Sequence, residues 1–182
     1  LIDLDPQTNA TFSCISVASW QEHSIKNGSV ATLLGFRNHT KAEDAHIDAT
    51  KVIIPDVFTG VDLIPSHLDL FTVDLDFASA TSRETKLVRA IEPILDNYDI
   101  VLCDCPPNLT IPTQNALAAS THYVVPISPD FLSGLGVALL HKRVEDFCAE
   151  LRHSLELAGM VISRKGRPAI HREETVEALR TK

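Results

Sequence analysis

The sequence predicts an α/β protein: a doubly wound, mostly parallel sheet with helices on both faces. Apolar strand-like runs alternate with stretches whose apolar residues recur at helical spacing, as in successive βαβ units. Two runs end in carboxylates followed by proline, which cannot continue a strand: Leu1-Ile2-Asp3-Leu4-Asp5-Pro6-Gln7 and Asp99-Ile100-Val101-Leu102-Cys103-Asp104-Cys105-Pro106-Pro107. Open parallel sheets bind ligands beyond the carboxyl ends of their strands, so two Asp-tipped strands gather acids on one rim.

Taken in order, Leu1 to Leu4 is the end of a strand. A short helix is expected over residues 28–36, around Val30, Leu33 and Leu34. The polar stretch from Asn38 to Thr50 reads as a surface excursion. Val61 to Ile64 is a short strand closed by Pro65, and Leu68, Phe71, Leu75 and Phe77 then mark one face of a helix-like segment. Ser82 suits the N-cap of a helix from Arg83 to about Asp96, with Leu87, Val88, Ile91, Ile94 and Leu95 as its stripe. Pro93 inside that pattern predicts a kink or an early stop. Ile100 to Asp104 does not alternate, as expected of a parallel strand covered on both faces. A helix from about Thr113 to Ala119 follows, then a strand over Tyr123 to Ile127. A helix from Leu135 to Leu151 has Leu135, Leu139, Val144 and Phe147 as core positions. A last strand spans Leu157 to Ser163 and a last helix Glu173 to Arg180. No repeat or Gly/Ser linker interrupts the chain, so one domain over 1–182 is expected.

Composition sets the class. With 45% hydrophobic and 22% charged residues among 182, the chain suits an ordinary globular domain with a sizeable core. No apolar run reaches membrane-spanning length and no signal-peptide pattern is present, so a cytoplasmic location is expected. Cys14, Cys103, Cys105 and Cys148 show no zinc-site spacing and read as buried thiols. The net charge of −8 is uneven: residues 1–160 hold 10 basic and 21 acidic side chains, whereas 161–182 hold 6 and 3. That basic end is a candidate contact for a polyanion, or a solvated helix whose charges pair with Glu173 and Glu177. The eight histidines are scattered and receive no catalytic role.

The chemistry concentrates on the two Asp-Pro motifs. A carboxylate at Asp104 can hold Mg²⁺ through water, or simply cap the next turn. Asp3 and Asp5, at i and i+2, share a face if the strand persists, and could equally be an ion-paired Asp and a helix N-cap. Pro106 and Pro107 stiffen the loop after Asp104. Ser128 and Asp130 follow the Tyr123–Ile127 strand, in a loop that could be a plain strand-to-helix turn.

These residues also carry a family resemblance. LIDLDPQTNAT resembles the second conserved strand of the ParA/Soj chromosome- and plasmid-partitioning ATPases, and YDIVLCDCPPNLTIPTQNAL resembles their Walker B strand and following loop. HYVVPISPDFLSGLGVALL and, more weakly, GMVISRKGRPAIHREETVEALR resemble the next two strand–loop–helix stretches. The resemblance covers most of the chain outside about 14–50. It implies a P-loop NTPase-like fold, Mg²⁺ and ATP as cofactors, and ATP hydrolysis. Asp5 would orient or deprotonate the attacking water, with Asp3 in support. Asp104 would serve the metal, and Pro106, Pro107, Ser128 and Asp130 would lie near the nucleotide. It further implies a nucleotide-dependent homodimer, a ParB-like activator, a nucleoid-associated location, and non-specific DNA binding through Arg164, Lys165, Arg167 and Arg172.

The family's lysine-rich glycine loop, KGGxGK[ST], does not occur in the sequence. The expectation is a chain truncated at both ends; a paralogue that lost its phosphate loop and became a non-catalytic regulatory module is the alternative. A MinD-like membrane-associated positioning ATPase of the same fold is a further alternative; amidotransferase-type ligases, such as the cobyrinic acid amide synthases, share related nucleotide-site motifs but would need a glutaminase domain, which nothing in the sequence resembles.

Overall fold

The first Asp-tipped segment forms a strand wedged between two others. In the computed structural model, residues 1–35, 48–73, 83–128 and 133–163 are described, the side chains of 133–135 excepted. They fall in two compact units, Leu1–Ala119 and Ser120–Lys182. In the first, β1 (Ile2–Asp3) runs parallel to β4 (Cys103–Asp104), with Ile2 opposite Cys103 and Asp3 opposite Asp104. On its other side Ile2 bridges in parallel to Ile64, just past β3 (Val61–Leu63). β3 pairs antiparallel with β2 (Ile54–Phe58). A polar stretch without strand periodicity precedes β2, which is why pattern reading passes over it.

Helices α1 (Asn9–Cys14), α2 (Val17–Asn27), α3 (Val30–Leu33) and α4 (Ala49–Val52) lie between β1 and β2. The sequence announces only α3. The others show their starts in retrospect: Ser16 accepts the Ser19 N–H and Asp48 accepts the Thr50 N–H, each an N-cap. The stretch expected as one helix from Arg83 is three pieces: a 3₁₀ turn over Arg83–Thr85, α5 (Lys86–Ile91) and a 3₁₀ helix over Glu92–Asn97. Pro93 lacks the N–H an α-helix needs, and the tighter winding starts one residue before it. α6 (Ile111–Ala119) completes the unit. Leu4, Leu34, Val52, Leu87 and Ile91 share one buried cluster. At about 1.5–3 kcal/mol per fully buried apolar side chain, that cluster is the main attraction holding the helices to β1.

Four expectations are corrected. The run Ile100–Leu102 is not a strand covered on both faces: Ile100 is 81% and Leu102 63% exposed, because the ladder with β1 begins only at Cys103. Leu68 and Phe71 face solvent, and Leu70 and Val73 occupy the interior instead, because Leu68–Phe71 winds as a 3₁₀ helix with a three-residue repeat. Leu95 leaves the core for the same reason, while Leu87, Ile91 and Ile94 stay in it. Leu139 is exposed, and the helix bearing it buries Val144 and Cys148.

In the second unit β5 (His122–Ile127) pairs in parallel with β6 (Glu156–Ile162), joined through α7 (Ser133–Leu151). Val125 and Ile127 form its small core, against Val137, Leu140 and Met160. Among the described residues no helix is long and apolar enough to cross a membrane. Ser82, Leu75, Phe77, most of the Asn38–Thr50 excursion and the Glu173–Arg180 helix lie outside the described residues.

Candidate site at the acidic strand tips

The parallel register of β1 and β4 brings the two acidic tips to the same end of the sheet. Asp3 and Asp104 are ladder partners, and the Leu4 N–H donates to the Asp104 carbonyl at 2.8 Å, so Asp5 begins the loop immediately beyond the pairing. Asp3 is fully buried. Its Oδ2 accepts the Thr11 N–H at 2.8 Å and the Thr11 hydroxyl at 2.7 Å, and its Oδ1 accepts the Asp5 N–H at 3.1 Å. Burial outweighs these donors and pushes the Asp3 carboxyl above its usual range.

The loop that carries Asp5 is tightly specified. The Thr8 N–H returns to the Asp5 carbonyl at 2.9 Å, closing a turn with Pro6 at its second position, where its fixed φ fits. The Gln7 N–H donates to Asp5 Oδ1 at 2.9 Å. Thr8, buried and at φ 57°, holds the left-handed conformation that a β-branched residue seldom adopts, and α1 starts directly after it. A serine 61 residues away completes the arrangement: the Ser66 hydroxyl donates to the Asp5 carbonyl at 2.6 Å. The Ser66 N–H donates to Thr11 Oγ1 at 3.0 Å, and Trp20 Nε1 donates to the Ser66 carbonyl at 2.8 Å.

Asp104 sits exposed at the tip of β4. Its carboxyl is raised above the usual range, first by partial desolvation and then by the negative charges of Asp3 and Asp5. The strand end thus gathers the negative charge of Asp3 and Asp5 near Asp104. Among the described residues no group of three or more His, Cys, Asp or Glu could enclose a metal unaided. Such a donor set suits Mg²⁺, which keeps much of its water and takes one or two carboxylates plus phosphate oxygens.

Pro106 and Pro107 open the loop after β4, which the start of α6 clasps: the Thr113 hydroxyl donates to the Asn108 carbonyl at 2.7 Å and Gln114 Nε2 to the Leu109 carbonyl at 3.1 Å. Asn115, fully buried, accepts the Leu87 N–H at 3.0 Å and donates to the Arg83 and Ile111 carbonyls at 2.8 and 2.9 Å. It caps α5 from a neighbouring helix. Cys103 and Cys105 are thiols pushed up by burial to about 11 and about 12, which leaves them protonated and poor metal ligands. Ser128 follows β5 in the second unit. Asp130, Arg164, Lys165, Arg167 and Arg172 lie outside the described residues. Sequence reading singles out neither Thr11 nor Ser66.

A family model for AAA domains, AAA_31, matches residues 1–157. The chain belongs to the AAA_31 family. Within that family its kin are ParA/MinD-type P-loop ATPases. This AAA_31 chain is 30% identical over 163 residues to the sporulation initiation inhibitor protein Soj of Bacillus subtilis, covering 90% of the chain and 59% of Soj. It superimposes with a TM-score of 0.77 on cobyrinic acid a,c-diamide synthase from Mycobacterium smegmatis with bound ATP analogue and magnesium, at 25% identity, covering 100% of the chain and 68% of the synthase. A plasmid partition protein of Borrelia burgdorferi bound to AMPPNP gives a TM-score of 0.78 at 21% identity, covering 100% of the chain and 69% of that protein. The AAA_31 chain spans about half the length of the first curated relatives it matches (48%). Its fold is therefore the doubly wound α/β fold of the ParA-like P-loop NTPases.

Proposed function

We propose that the protein carrying this chain is a partitioning ATPase that hydrolyses Mg-ATP to move DNA. The observation that carries this is the register of β1 on β4, which sets Asp3 beside Asp104 with Asp5 one residue past the pairing. Phosphoryl transfer depends on positioning and charge neutralisation, so a carboxylate aimed at an in-line water suffices. Asp5 orients that water or accepts its proton. Asp104 would hold a hydrated Mg²⁺, which would supply neutralisation of phosphate charge. Asp3, with both oxygens occupied by protein donors, acts by shaping the loop. Pro106 and Pro107 stiffen the loop that follows the γ-phosphate.

In this reading ATP binding drives a homodimer that binds DNA non-specifically through Arg164, Lys165, Arg167 and Arg172, in the cytoplasm on the nucleoid. A ParB-like partner stimulates hydrolysis, and the lower DNA affinity of the hydrolysed state releases the protein. The test uses the full reading frame that carries this chain, measuring ATP turnover and ATP-dependent DNA co-sedimentation. Turnover abolished by Asp5→Ala, with DNA retained only when ATP is present, is expected. Turnover without ATP-dependent retention removes the partitioning role and leaves the ATPase.

A second reading, an ATP-dependent amide ligase, rests on the 25% identity to cobyrinic acid a,c-diamide synthase and would need a glutaminase domain. Glutamine-dependent phosphate release from ATP would establish it in place of partitioning.

A further inference from the structure

Four residues close a hydrogen-bonded ring around the backbone of Asp5. Asp3 accepts the Asp5 N–H at 3.1 Å, and Ser66 donates its hydroxyl to the Asp5 carbonyl at 2.6 Å. Ser66 donates its N–H to Thr11 Oγ1 at 3.0 Å, and Thr11 returns to Asp3 through its hydroxyl at 2.7 Å. Asp3, Thr11 and Ser66 are fully buried, so water does not compete for the bonds among these three. Every donor in the ring has one direction: the Thr11 hydroxyl gives its proton to the carboxylate and so accepts from Ser66.

The peptide groups on both sides of Asp5 are therefore fixed, and only its side-chain torsions remain. Gln7 then holds Oδ1 at 2.9 Å. The other three members of the ring have no exposed surface. Ser66 and Thr11 thus act on what Asp5 does without meeting the reactants.

Resting on the ATPase reading above, we infer that Ser66 and Thr11 are positioning residues for Asp5, holding its carboxylate in line for the attacking water. Ser66→Ala is a clean probe. It removes one hydroxyl, while the backbone bonds from Ser66 to Thr11 and from Trp20 to Ser66 remain. A displacement near 1 Å at a reacting group can slow chemistry by about a hundredfold.

In the full reading frame, Ser66→Ala is expected to lower kcat at least about tenfold while leaving the Kd for ATP within about twofold. Thr11→Ser, which keeps both hydroxyl bonds, retains wild-type kcat, and Ser66→Cys, a weak donor, falls between. In an Asp5→Asn background Ser66→Ala has no further effect, because the group it positions is already lost. A wild-type kcat for Ser66→Ala, or an equal fractional loss in the Asp5→Asn background, overturns the inference. If Ser66→Ala does not fold, Ser66→Cys carries the same comparison in both backgrounds. Wild-type protein without ATP turnover overturns the ATPase reading itself, a distinguishable result.

Discussion

Replacing Thr11 by valine keeps the shape of the side chain and deletes its hydroxyl. Two bonds disappear. The first is the 2.7 Å bond to the Asp3 carboxylate, and bonds to charged groups contribute about 1.5–3 kcal/mol. The second is the 3.0 Å bond from the Ser66 N–H, which is then a buried orphan costing about 1–3 kcal/mol. A methyl in place of the hydroxyl returns at most about 0.8 kcal/mol of apolar burial. The balance is a loss of about 2–5 kcal/mol, a large share of the roughly 5–15 kcal/mol typical of a folded domain. For a chain of this size each kcal/mol moves the melting midpoint by about 2–4 °C, so Thr11→Val should melt about 4–20 °C below wild type. Thr11→Ser loses only a methyl, about 1 kcal/mol, and should stay within about 4 °C. Thermal unfolding followed by circular dichroism measures both. A Thr11→Val midpoint within about 2 °C of wild type, or a Thr11→Ser loss as large as that of Thr11→Val, would refute the reasoning.

Asp104→Asn should stabilise the fold while ending turnover, because the ionised Asp104 is disfavoured by desolvation and by Asp3 and Asp5. Screening at this exposed tip keeps the gain below about 1 kcal/mol. The gain is full at neutral pH, where Asp104 is ionised in both folded and unfolded chains. It shrinks as pH falls through the raised folded value towards 3.8, since the folded form takes up its proton first. Paired melts of wild type and variant from pH 7 to pH 4 check the sign, and a gap that widens on acidification contradicts it. Cys103 and Cys105, held at about 11 and about 12 against an ordinary 9.0, should alkylate at pH 8 far more slowly in the fold than in urea. For Cys103 the thiolate fraction drops from about one in ten to about one in a thousand. Peptide mass spectrometry after iodoacetamide reads this directly, and equal rates in fold and urea would show that both thiols are open to solvent.

The legible parts of this fold are those where one short segment contains its own reasons. β1, β4, β5 and β6 are apolar runs stopped by Pro or polar residues, and their order forecasts a parallel sheet. The acidic tips could be read because Asp-Pro is a local sign. What stayed hidden depends on partners far along the chain. Ser66 meets Asp5 across 61 residues, and Asn115 meets Leu87 across 28, and neither pairing leaves a pattern in its own neighbourhood. α1 and α2 bury only Thr11 and Trp20 between them, so the helical stripe is too thin to see in the sequence. The exposure of Ile100 and Leu102 is not legible in the sequence, because an apolar run tells of a preference for burial, and register alone decides how much of the run enters the ladder.

Asn115 has a consequence for how the first unit moves. Its amide supplies the hydrogen bond that the opening turn of α5 receives at Leu87, since Thr85 makes no side-chain cap there. The same amide is tied to its own helix through Ile111. The two helices are therefore tied together through this one side chain. Any rearrangement that reaches α6 from the proline loop must either carry α5 along or break that tie.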